Sequence, residues 1–460
     1  MPVRWSTQEG GIARLMPIPS VTPAEPALDR ALGRRDLSAF AVNRVIGAGI
    51  FGIPAVLYAG VGPYSVAAMV CAALAVSLIT LCFAEVGSRF SDTGGPYLYA
   101  YRAFGPVVGF EVGWLMWVTQ LGGFAAVTNL MVNYAGWFVP GITTGVWRAA
   151  VILAVVVVLA MVNVLGIRRA ALVNTALTIG KLAPLALFIV VGSFYLDVDL
   201  FRATGSMAAG GGGTAPGMAA MASTVFLAIY AFSGFETLGV PAGEVRDPVR
   251  TIPFALLAGL AVVATVYVGV QLVAVGTLPD LGTSARPLAD AAARLFGPVG
   301  AAVMVVGALV STLGVAHAII LAAGRMPFAM AERGQLWPAI AAVHPKYQTP
   351  FLGILVSAGG MLLFTLMTTF TSALTITVGL RVIIYLVTCA ALPVLRRSDD
   401  SAATVFRVPA GRGVSALCVG MCAVLLLARP IGEMIQFLVV LAIGLLLWWG
   451  STRLEPRPPS

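Results

Sequence analysis

The chain has 460 residues, of which 59% are hydrophobic and only 10% charged, against about 25% charged in a soluble domain. That composition excludes a soluble globular domain and points to a polytopic membrane protein. The net charge is +9, but the arginines fall between apolar segments and form no basic face with interleaved aromatics, which excludes nucleic acid as a partner.

Residues 1–37 are rich in Pro, Arg and Ala and contain no apolar core, so they read as a disordered cytoplasmic tail and not as a signal peptide. A membrane span needs about 20 mostly apolar residues. By that criterion the first half predicts spans near 39–60, 64–86, 97–124 (extending towards 137), 147–166 and 170–195. The Gly-rich stretch ATGSMAAGGGGTAPG follows over 203–217, within an extracytoplasmic loop over 196–217. Further spans are predicted near 218–242, 252–276, 298–323, 350–369, 372–395, 413–428 and 431–450, with a short tail over 453–460. Arginine and lysine recur on alternate connections: Arg30, Arg34 and Arg35, then Arg89 and Arg102, Arg168 and Arg169, Arg246 and Arg250, Arg325 and Arg333, Arg396 and Arg397, and Arg453 and Arg457. Positive residues concentrate on the cytoplasmic side of a membrane, so both termini are expected there, in the plasma (inner) membrane.

The first span contains VIGAGIFGIPA over 45–55, with Gly47, Gly49, Gly52 and Pro54 inside it. Each interior glycine weakens a helix by roughly 1 kcal/mol relative to alanine. The sixth span, VFLAIYAFSGFETLGVPAGE over 225–244, is interrupted by Ser233 and Gly234 and carries Glu236 at membrane depth. Glycine in one membrane helix commonly serves close packing. Interruptions at corresponding positions of two halves instead point to a transporter site built from repeats. The spacing predicts two repeats of five spans, 38–195 and 218–397, followed by two appended spans over 398–452. A helix break exposes amides with partial positive charge and carbonyls with partial negative charge, a match for the two ends of a zwitterion.

These stretches resemble the amino acid–polyamine–organocation superfamily over residues 38–452. The resemblance rests on IGAGIFGIPA at 46–55, AEVGSRFSDTGGPYLYAYRAFGP at 84–106, AFSGFE at 231–236 with GEVRDPVRTIP at 243–253, and AAGRMPFAMAERGQLW with HPKYQTP over 322–350. It implies an all-α, LeuT-like fold of about twelve helices with the first and sixth broken. It further implies secondary transport of amino acids or related amines by alternating access. The same resemblance puts the substrate carboxylate at the amides around Gly47, Ala48 and Gly49. The ammonium would meet carbonyls near Val45, Tyr230 and Ser233, with Tyr230 as an aromatic gate beside Phe232.

Only two of the 28 basic residues are lysines, Lys181 and Lys346. Lys181 lies within the fifth span, and a lysine at membrane depth is a functional hypothesis by default. Relatives with a lysine in the same context imply a coupling or gating role, next to the span-one backbone and to Ser311 or Thr312 on span eight. His317 is a rival proton site. Glu236 is expected to brace the span-six break by accepting backbone N–H bonds. Arg381 needs a partner, and elimination leaves Glu111 and Glu433. Arg44, Glu85, Arg89, Glu244 and Arg250 are expected in salt bridges at cytoplasmic ends.

The five cysteines lack CxxC spacing and read as small buried hydrophobes. No cofactor or metal is implied, and no GxSxG or HExxH signature supports an enzyme. The expected substrate is a neutral L-amino acid, carried by proton symport or by exchange. The alternatives are a cationic amino acid or polyamine exchanger and a sensor that binds amino acids without moving them.

Overall fold

The computed structural model describes residues 33–47, 49–90, 94–165, 182–202, 216–239, 242, 245–332, 334–347, 349–398 and 406–453. Ala48, Lys181, Glu244, residues 203–215 and the far ends of both tails lie outside them, as do Arg168 and Arg169. The described residues are helical with no strand. Seven stretches are long and apolar enough to cross a membrane, counting Gly49–Gly87 as one, and four shorter apolar helices accompany them.

The first span is two helices, α1 (Arg34–Val45) and α2 (Gly49–Val61), separated at the glycines. After α3 (Ser65–Gly87), the third span departs from the single helix expected. A short α4 (Pro96–Phe104) ends at Gly105, and α5 (Pro106–Ala135) starts afresh. Gly105 has φ +89°, a conformation glycine adopts without strain, and Pro106 cannot continue a helix that precedes it. Then come α6 (Gly145–Leu165), α7 (Leu182–Tyr195) and α8 (Val198–Arg202). The sixth span is again broken: α9 (Met218–Ala228) unravels through a turn and resumes as a 3-10 segment over Phe235–Gly239.

In the remainder, α10 covers Pro248–Thr277 and α11 Pro287–Glu332. Inside α11, Gly297 leaves helical geometry, so an additional short helix precedes the predicted eighth span. The last four are α12 (Phe351–Met367), α13 (Phe370–Ser398), α14 (Gly411–Leu427) and α15 (Ile431–Arg453).

Helix α5 is nearly wholly buried at the centre, with α11 and α13 packed along it. Helices α3 and α1 pack against α10. The outermost helix, α15, presents Leu438, Val439, Leu446 and Trp449 to its surroundings, as a helix in contact with lipid does.

Candidate functional site

In an apolar medium every freed backbone group needs a partner, and side chains from neighbouring helices supply several for span one. The hydroxyl of Tyr267 donates to the carbonyl of Val45 (2.6 Å), Tyr134 to that of Phe51 (2.7 Å) and the Gln271 amide to that of Pro54 (3.4 Å). The first amides of α2, from Gly49 onward, belong to a helix N-terminus, where N–H groups precede the first intrahelical bond.

Span six closes its own break. The Gly234 amide donates to Glu236 Oε2 at 2.8 Å, and the Ser233 hydroxyl donates to the Tyr230 carbonyl at 2.6 Å. The two breaks touch: Gly234 has φ +120°, and a Cβ there would lie 2.7 Å from the Arg44 carbonyl oxygen. Glycine is required at this crossing for both reasons. A Cβ on Gly49 would meet Ala231 at 3.2 Å and the Tyr230 ring at 3.4 Å.

Between the breaks lies a small polar cavity of about 50 Å³, well below the ~300–1,000 Å³ of open ligand pockets. Its walls come from Arg44 and Val45, Gly47 and Gly49, Tyr230, Ala231, Ser233 and Gly234, and residues of α5, α11 and α13. So compact a cavity must widen to admit an amino acid. A larger groove of about 460 Å³ between α6 and α12 is almost entirely apolar and lies away from both breaks.

Of the predicted site residues, Val45, Gly47, Gly49, Tyr230 and Ser233 line the cavity. Phe232 does not: it is fully buried against Tyr267, with ring centres 5.3 Å apart. Ser311 and Thr312 are buried away from the lining. The Thr312 hydroxyl donates back to Ala308, and the Ser311 hydroxyl has no partner among the described residues. The expected ammonium ligands are partly spent. The Tyr230 carbonyl already accepts both the amide and the hydroxyl of Ser233, and the Val45 carbonyl accepts Tyr267.

Two sequence-based expectations are corrected. The partner of Arg381 is Glu236, at 3.2 Å, and neither Glu111 nor Glu433. Glu433 is held by Arg429 at 2.6 Å, while Glu111 sits against α15 with no hydrogen bond among the described residues. Glu236 also accepts a bond from Tyr385 at 3.2 Å. Arg44, expected in a cytoplasmic salt bridge, instead lines the cavity and makes no ion pair among the described residues. Gln120, Gly123 and Val127 on α5 and Ile319 on α11 also line it. Gln120 follows Thr119 in an otherwise small and apolar run, a faint signal on its own.

The remaining polar clusters are structural in character. Glu85 is wholly buried and accepts Arg396 Nε at 2.6 Å, Arg89 Nη2 at 3.2 Å and the Val408 amide at 2.8 Å, fastening α3 to α13 and to the strand of chain before α14. Arg250 pairs with Asp247 at 3.9 Å on the surface. The thiols of Cys82, Cys389 and Cys418 lie within 4.8 Å of one another and are buried. Three thiols fall short of the four ligands of a closed zinc site.

A family profile described as "Amino acid permease" matches residues 32–450. The methylthioribose transporter of Bacillus subtilis (strain 168) is 28% identical over 454 residues, covering 93% of this chain and 94% of that protein. The serine/threonine exchanger SteT of the same organism is 28% identical over 382 residues, covering 80% and 84%. Its branched-chain amino acid permease BcaP is 25% identical over 456 residues, covering 94% and 95%.

Proposed function

Because the chain belongs to the amino acid permease family, a family of membrane transporters and not of enzymes, we propose that it carries neutral L-amino acids by alternating access. The observation that carries this is the pair of helix breaks meeting at one cavity. There the N-terminal amides of α2 suit a carboxylate, and the carbonyl ends of α1 and α9 suit an ammonium. The relatives are named for serine/threonine, branched-chain amino acids and methylthioribose. Family membership therefore leaves the substrate to the cavity. A cationic substrate is disfavoured, because two guanidinium groups, Arg44 and Arg381, face the cavity against one carboxylate, Glu236.

The proposal extends to twelve spans in the plasma membrane, arranged as five plus five inverted repeats with two appended, and to both termini on the cytoplasmic side. Lys181 is assigned the coupling or gating role. The Ser311 hydroxyl, which has no partner among the described residues, supports that assignment as an acceptor on α11 for an ammonium.

The test is uptake of labelled amino acids into proteoliposomes, with or without an inward proton gradient and with or without internal amino acid. Gradient-driven uptake into empty vesicles would establish a symporter, and uptake only after preloading an exchanger. Binding of amino acids with no flux under any condition would overturn transport in favour of a sensor.

A further inference from the structure

The guanidinium of Arg381 is only partly spent. Nη1 faces Glu236 Oε1 at 3.2 Å, yet neither Nη1 nor Nε makes a hydrogen bond among the described residues. Nη2 reaches over Gly123: a Cβ at that glycine would stand 3.8 Å from it and 3.8 Å from Ile319 Cδ1. Gly123, Ile319 and Arg381 all line the cavity, so the absence of a side chain at 123 leaves room beside the Nη2 donor. Gln120, one turn earlier on α5, lines the same wall and makes no hydrogen bond among the described residues. The wall opposite the helix breaks thus carries two sets of unspent polar groups, fixed on α5 and α13.

Glu236 holds Arg381 in place. One carboxylate oxygen takes the arginine, and the other is fixed by the Gly234 amide and by Tyr385. The break of span six and the arginine are therefore positioned by one group.

Resting on the transporter function proposed above, we propose that Arg381 reads the substrate side chain. The preferred substrates then carry an uncharged hydrogen-bond acceptor there: a hydroxyl or a carboxamide. The reason is the cost of the alternative. A hydrocarbon side chain filling the space beside Gly123 would displace water from Nη2 and Gln120 and return nothing. Sites that leave buried polar groups unpaired reject the wrong substrate far more strongly than sites that only lose apolar contact.

The test uses near-isosteric pairs: threonine against valine, asparagine against leucine, and aspartate against leucine. Affinities are measured by thermal-shift titration of the detergent-solubilised protein and by competition for uptake in proteoliposomes. The expected result is a preference of at least about tenfold for the acceptor-bearing member of the threonine pair, the asparagine pair or both. The threonine and asparagine arms separate hydroxyl from carboxamide recognition, and a preference for aspartate alone would overturn the neutral substrate while leaving amino acid transport standing. Equal or better binding of valine and leucine would overturn the role of Arg381 and leave amino acid transport standing. Failure of every amino acid to bind or move would overturn both. The double variant Glu236→Gln/Arg381→Met removes both charges together, so no buried ion is stranded. It should bring the ratio within each pair close to one. An unchanged ratio would assign the preference to another group, and loss of all substrates in equal proportion would assign Arg381 to the α-carboxylate.

Discussion

Two buried carboxylates, Glu85 and Glu236, hold arginines in different ways. Glu85 is saturated: two arginines and a backbone amide converge on it, and Arg396 also donates to the Val408 carbonyl at 3.0 Å. Arg89 Nε has no partner among the described residues, but Arg89 borders no part of the cavity between the breaks. Glu236 is also fully engaged, but its arginine holds Nε and Nη1 without a hydrogen bond among the described residues and places Nη2 beside Gly123 at a cavity. A closed network fixes a scaffold, whereas one with unused capacity can receive a ligand.

The contrast predicts that damage at the two sites will separate stability from transport. Glu85→Ala strands Arg396 in a mostly buried position, and breaking a buried pair costs roughly 3–5 kcal/mol. The expected outcome is loss of monodisperse protein on size-exclusion chromatography, and a well-behaved variant would refute the scaffold role. Gly49→Leu should leave the protein folded and lower uptake at least tenfold, since the side chain enters the cavity against Tyr230 and Ala231; wild-type affinity would move the site elsewhere. Gly234→Ala forces a Cβ towards the Arg44 carbonyl in a backbone conformation that costs on the order of 1–3 kcal/mol for other residues. Its uptake should fall with a modest drop in melting temperature. Lys181→Ala should abolish or alter coupling without loss of insertion, and wild-type accumulation with wild-type pH dependence would remove its role. At the small end, Arg250→Ala breaks an exposed pair of the kind that contributes little. Uptake and melting temperature should not change measurably.

The breaks were legible in the sequence because glycine is conspicuous in an apolar run: Gly47 and Gly49 mark one and Gly234 the other. The partner of Arg381 was not, because Glu236 lies on a different span and only packing brings the two within 3.2 Å. Gln120 and Gly123 were hidden by the small and apolar character of α5, which has no periodic polar face to mark a lining. Arg44 sits near other arginines in sequence, and their shared topological signal masked its place at the cavity. The bend at Gly105 was missed because an apolar window runs straight across it, although Gly-Pro is a chain-breaking pair.

The three hydrogen bonds to span-one carbonyls have a mechanical consequence. Tyr267 pins Val45 from α10, Tyr134 pins Phe51 from α5, and Gln271 pins Pro54 from α10. Span one is therefore leashed to its neighbours on both sides of the break. A motion that carries α1 away from α10 must first part Tyr267 from Val45, so the two helices travel together as one lever. Gly47 and Gly49, between the two leashes, border the cavity, and a carboxylate bound there would tie the lever to α2.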